Sequence, residues 1–135
     1  MTDSLLVPMG AHVALAAALY AVLTVARAPA IWGLCRDRDG IKPWAGVEPR
    51  ISANLSNQFE WPLFFHVACL VLLQLPYSAA AVAFAWLFVA GRVLHSVVQI
   101  GTRNVRLRGV VFTVNFLSVL ALWVQVLMAS GASGA

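Results

Sequence analysis

The hydropathy of the chain rises and falls four times. Apolar runs cover about residues 5–32, 51–75, 78–102 and 109–128. Each holds about 20 residues or more, enough to cross a bilayer as a helix. The first is rich in small residues (Ala14, Ala16, Ala17, Ala18, Ala21) that suit close helix packing in lipid, and Pro29 is expected to kink or close it. The second ends at Pro76, so Pro76 and Tyr77 form a tight, uncharged hairpin into the third. The fourth carries Asn115 and runs into a tail of small uncharged residues, expected to fray. This pattern predicts one all-α domain, an integral membrane four-helix bundle.

Polar residues break the apolar pattern at regular intervals. In the third run, Arg92, His95 and Gln99 fall on one helical face, and Arg103 continues it. An arginine near mid-membrane costs at least ~2.5 kcal/mol on insertion scales, so it should face the bundle interior and find a partner. In the second run, Arg50, Asn54 and Asn57 fall at i, i+4 and i+7, with Glu60 beside that stripe. Pro62 removes a backbone donor and leaves the carbonyl of Gln58 without its usual bond, which allows a kink and a local polar pocket.

Glu60 lies roughly 15 Å of helix rise from Arg50, and Arg92 about as far from Arg103. The two spans are antiparallel neighbours, so Glu60 and Arg92 are predicted to pair. Such a pair can be purely architectural. The wider set is harder to explain by packing alone. Arg50, Asn54, Asn57, Glu60, Arg92, His95, Gln99, Arg103, Arg106 and Arg108 all belong to the same half of the membrane or its rim. They suit an anionic, hydrogen-bonding ligand whose apolar portion lies in lipid. Guanidinium forks match carboxylates, and a nearby guanidinium favours a thiolate over a thiol. For the loop arginines alone, topology signalling or contact with lipid headgroups is the plainer account.

Composition supports the membrane reading. Of 135 residues, 61% are hydrophobic and 10% charged, with a mean hydropathy of +0.85; a soluble domain carries about 25% charged residues. The net charge of +4 is no nucleic-acid signal, because the bases sit at membrane borders without aromatics to interleave them. They belong to the Gly33–Pro49 link (Arg36, Arg38 and Lys42, beside Asp37, Asp39 and Glu48), to the Arg103–Arg108 link, or to the helix halves leading into them. The positive-inside rule then puts both basic links in the cytoplasm and both termini outside. The start, Met-Thr-Asp-Ser, lacks a basic n-region, so the first run is expected to be retained. Cys35 and Cys69 form no ligand-like cluster and read as packed or reduced thiols. His66 reads as packed or hydrogen-bonded, His12 as lying near the opposite membrane face, apart from the site. No converging ligand set suggests a metal.

The pattern Arg50-x3-Asn54-x2-Asn57-x2-Glu60-x-Pro62, then Gly91-Arg92-x2-His95, then Arg106-x-Arg108-Gly109 resembles the MAPEG family, the membrane-associated proteins in eicosanoid and glutathione metabolism, in a bacterial-type form. The resemblance implies a homotrimer of four-helix bundles, here in a bacterial inner membrane, with glutathione as co-substrate between subunits near the cytoplasmic face. By position, Arg50 and Asn54 would contact glutathione, Arg92 and His95 would form the polar face of the third span, and Arg108 or Arg106 would stabilise the thiolate. Arg27 is similar to a basic residue that ends the first span in some members. Gln99 stands where several members have a tyrosine, and Asn57 where many have a glutamate.

Two functions compete. One is a glutathione-dependent transferase or peroxidase, with a thiolate attacking a lipophilic small molecule that arrives from the membrane. The other is a non-catalytic membrane module that holds a lipid or another anionic ligand in the same pocket. A transporter ranks lower, since no repeat symmetry is visible.

Overall fold

A computed structural model describes residues 4–33 and 44–133. These fold into five helices, with no strand among them. Cys35, Arg36, Asp37, Arg38, Asp39 and Lys42 lie outside the described residues.

Helix α1 (Leu6–Trp32) continues through Pro29 and is closed by Gly33 instead. Gly33 takes φ 67°, and its N–H reaches the Pro29 carbonyl. A left-handed residue is the common way to end a helix, and glycine adopts it without a Cβ clash.

The second apolar run is not one helix. It divides into α2 (Glu48–Ser56) and α3 (Pro62–Leu72). Between them the backbone tightens into turns, with Gln58 N–H on Leu55 O and Phe59 N–H on Ser56 O, both at 3.0 Å. Pro62 opens α3, a position where its missing N–H costs nothing. A kink was expected at this proline; the chain breaks over a whole turn and restarts there.

Helix α4 (Ala79–Gly101) follows an extended Ser78, and α5 (Val105–Ser133) follows a short extended link. The Asn104 Oδ1 accepts the Leu107 N–H at 3.1 Å, an N-cap that starts α5 ahead of the apolar run. Arg106 and Arg108 therefore belong to the first turns of the helix rather than to a loop. The tail expected to fray is helical as far as Ser133. Helices α1, α4 and α5 are each long and apolar enough to cross a membrane. Helix α3 is apolar but holds only 11 residues, roughly 16 Å, too short to span alone.

Two apolar clusters form the interior. The larger joins Leu5, just ahead of α1, with Phe65 and Leu72 of α3, Phe88 of α4, and Val119 and Leu122 of α5. Cys69 is fully buried within it as a packed free thiol. The smaller joins Leu19 and Leu23 of α1 with Ile51 and Leu55 of α2. The buried polar residues among those described are His12 of α1, Asn54 of α2, Gln58 in the break, Arg92, His95 and Ser96 of α4, and Asn115 and Ser118 of α5. Helix α4 lies close along α5, and at Gly91 a Cβ would overlap the Asn115 amide. The contact needs glycine because there is no space for a side chain.

Candidate functional site

The site begins with the break between α2 and α3. Asn57 closes α2 in helical geometry, and the turns that follow leave its carbonyl outside the helix ladder, where Arg92 of α4 takes it. The Arg92 side chain is 1% exposed; its Nη2 donates to Asn57 O at 2.8 Å and its Nε to Gln58 Oε1 at 3.0 Å. A buried guanidinium needs acceptors on its N–H groups, and the break supplies two. Glu60 is exposed, and among the described residues the one ion pair joins Arg27 to Glu48. The expected Glu60–Arg92 pair is thus absent. The turn that presents Asn57 O and Gln58 to Arg92 directs Glu60 outward.

Gln58 is the hub. Its Nε2 donates to Asn54 Oδ1 at 3.2 Å and to Ser96 Oγ at 3.1 Å, while Ser96 Oγ donates to the Arg92 carbonyl at 3.0 Å. Its Oε1 also meets His12 Nε2 at 3.1 Å. His12 therefore joins the polar layer, contrary to the expectation that it lies near the far face. At about 1.5 Å per residue, His12 is roughly 30 Å from the end of α1 and Arg92 roughly 14 Å from the end of α4. Helix α1 projects past α4, which brings His12 level with Arg92. His66 is hydrogen-bonded, as expected, through Nε2 to His12 Nδ1 at 3.1 Å.

A second set gathers on Gln99, where the approach of the second and third runs was expected. The Gln99 Oε1 accepts Asn54 Nδ2 at 2.9 Å and Asn57 Nδ2 at 3.3 Å, and lies 2.9 Å from His95 Nε2. An oxygen can only accept, so His95 Nε2 carries the hydrogen. With the ring uncharged, His95 Nδ1 is then an acceptor. It is buried and has no hydrogen-bond partner among the described residues.

Beyond Gln99 the protein opens. One recess of about 320 Å³ is lined by Arg50, Gln99, Thr102, Arg103 and Arg108 among others. A second, about 360 Å³, is lined by Asn57, His95, Gln99, Arg108 and Phe112 among others. Gln99, Val105 and Arg108 line both. The first gathers three guanidinium groups, a setting for carboxylate or phosphate; the second pairs one arginine with apolar carbon. Arg50 is held at its edge by donating Nη1 to Ile100 O at 3.4 Å.

Two sequence candidates stand apart. Arg27 donates to Glu48 Oε1 at 2.7 Å and to Ser52 Oγ at 3.3 Å, joining α1 to α2. Arg106 is exposed and lines neither recess. The Gln58 side chain and Ser96 are site residues that the sequence pattern did not single out. Both carry a visible signal: Gln58 continues Arg50 and Asn54 at i+8, and Ser96 follows Arg92 at i+4 on the same helical face. Among the described residues no group of three or more His, Cys, Asp or Glu side chains gathers to hold a metal.

A sequence profile described as the MAPEG family matches residues 5–128, nearly the whole chain. No curated protein and no solved structure matches it.

Proposed function

The chain belongs to the MAPEG family, and from that premise we propose a glutathione-dependent transferase or peroxidase acting on lipophilic electrophiles. One observation carries this reading: Arg108 lines both a recess rich in guanidinium and a recess walled partly by apolar carbon. The donor set fits glutathione, whose two carboxylates match Arg50 and Arg103. Bound there, glutathione would supply a thiol as nucleophile. Arg108 then holds negative charge at the boundary between the recesses, where a guanidinium favours the sulfur anion. Phe112 and Val105 limit water on the side from which an apolar partner would come, and a charge acts more strongly there than in bulk water. Between Arg108 and Arg106, the lining supports Arg108 as the catalytic arginine.

The same reading includes the assembly. Helices α2 and α3 together would make a fourth crossing, and three copies would associate around the apolar residues left exposed on α3, such as Phe64, Val67 and Val71. The basic links would face the cytoplasm of a bacterial inner membrane, with both termini outside. Arg27, near the end of α1, bonds Glu48 at the start of α2, Arg50 of α2 bonds Ile100 at the end of α4, and the first recess joins the end of α4 to the start of α5.

One feature favours the non-catalytic alternative. Asn54, Asn57 and His95 already direct polar hydrogens to Gln99, so part of the polar layer is satisfied from within, as in a packing device that holds a lipid or other anion at its rim. Calorimetric titration of purified protein with glutathione, with thiolate absorbance read on the same sample, separates the two. The enzyme reading expects saturable binding, a thiolate signal, and conjugation that is lost in Arg108→Ala and kept in Arg106→Ala. Absence of glutathione binding together with a co-purified lipid would establish the alternative. Conjugation that survives Arg108→Ala would remove the mechanism.

A further inference from the structure

A third cavity lies beside Gln58, between α1 and the broken run. It has a volume of about 360 Å³, within the range of small-molecule pockets. Its walls are apolar, formed by Ala16, Ala17, Tyr20 and Phe59 among others, and His12 and His66 stand at one side. The rings of Tyr20 and Phe59 meet edge to face, with centroids 6.1 Å apart. Both are more than half exposed, at 53% and 57%, so they form an outer rim of the cavity on the side that faces lipid. None of the arginines assigned to the cytoplasmic cleft lines it.

The hydrogen-bond directions around this cavity follow from a single fact. Arg92 has no acceptor atoms, so the Gln58 atom it meets must be the carbonyl oxygen. That oxygen also faces His12 Nε2, which must therefore carry a hydrogen. With both imidazoles uncharged, His12 Nδ1 accepts, and His66 Nε2 donates to it. The other nitrogen of His66, Nδ1, is then an acceptor, and it has no hydrogen-bond partner among the described residues. The chain of fixed donors running from Arg92 thus ends on a half-buried ring that wants a hydrogen, at the side of an otherwise apolar chamber.

We propose that this cavity is a second ligand site that takes a lipophilic phenol, its ring against the Tyr20 and Phe59 side chains on the cavity side and its hydroxyl donating to His66 Nδ1. An aromatic body suits the edge-to-face rims. A phenolic O–H is a strong donor, and a single acceptor in apolar surroundings discriminates sharply for a ligand that can satisfy it. A plain acyl chain would fill the volume and leave the nitrogen bare. The site is independent of any thiol chemistry at Arg108.

The test uses the full chain in lipid nanodiscs, with its histidines ¹⁵N-labelled; there are three, so assignment is simple. It is titrated with 4-octylphenol and with the methyl ether, 4-octylanisole, which has the same apolar body and no donor. The phenol is expected to bind saturably and at least tenfold more tightly than the ether, and to shift the unprotonated His66 nitrogen. His66→Phe is expected to lose the preference for phenol, and Ala17→Phe to lose binding of both by filling the chamber. Equal affinity for the two probes, or an unmoved His66 nitrogen, overturns the proposal and leaves a lipid-filled groove. A preference that persists in His66→Phe also overturns it. The nitrogen signal is read on the unaltered chain, so a variant that fails to fold does not weaken the test.

Discussion

Arg92 and Gln58 meet through a 3.0 Å hydrogen bond at the centre of the polar layer. No carboxylate among the described residues hydrogen-bonds the arginine; an amide oxygen and the freed carbonyl of Asn57 take its N–H groups. Arg92→Met keeps much of the volume and removes the donors, leaving buried acceptors short of partners. We expect a loss of roughly 1–3 kcal/mol, seen as a lower thermal unfolding midpoint in detergent. Glu60→Gln should shift the midpoint very little, within about 0.5 kcal/mol, as for an exposed site. Equal losses in the two variants would reinstate the ion pair.

Gln99 offers a way to separate folding from binding. Its Oε1 serves Asn54, Asn57 and His95, and a glutamate could accept the same hydrogens. Gln99→Glu is therefore expected to fold, yet it adds negative charge to the recess that Arg50, Arg103 and Arg108 line. Glutathione should bind at least about tenfold more weakly, a change of about 1.4 kcal/mol, measured by calorimetry. Unchanged affinity would place the anion elsewhere.

Gly91 and Asn115 form a close contact between α4 and α5, with the Asn115 amide fully buried and neither of its polar atoms hydrogen-bonded among the described residues. Gly91→Ala should cost roughly 1–3 kcal/mol by overpacking. Adding Asn115→Ala should recover much of that loss, since the clashing group is removed. The pair of midpoints from the single and double variants checks this, and failure to recover would mean that Gly91 is required for another reason.

Arg27 is bound to Glu48 at the surface, with the two side chains 47% and 29% exposed. Such pairs contribute about 0–1 kcal/mol and weaken with salt. Arg27→Ala should lower stability slightly, with the difference shrinking at high salt, and should leave glutathione affinity within about twofold. A large loss of affinity would draw Arg27 back into the ligand site.

The sequence made some of this legible and hid the rest for physical reasons. Arg50, Asn54, Arg92, His95 and Gln99 could be assigned to facing stripes because helical periodicity reports which residues share a face. The break before Pro62 was only half visible: the proline marked its place, but its length depended on Arg92 claiming the Asn57 carbonyl from another helix. Depth was the weakest inference. His12 was measured from the hydropathic end of its run, and α1 projects beyond its neighbours by a distance that no single segment encodes. The start of α5 was misplaced for the opposite reason, since hydropathy marks where the apolar run begins and Asn104 caps the helix earlier.

A growing chain meets this arrangement in order as it leaves the ribosome. The stretch from Arg50 to Glu60 holds too many hydrogen-bonding groups to enter lipid gladly by itself, and the partners that quiet them lie on α4, which is made later. Insertion of the second segment should therefore wait for the third, the two passing into the bilayer as one hairpin. Truncation after Tyr77 would then leave this stretch at the membrane surface, where a glycosylation or protease-protection assay would find it.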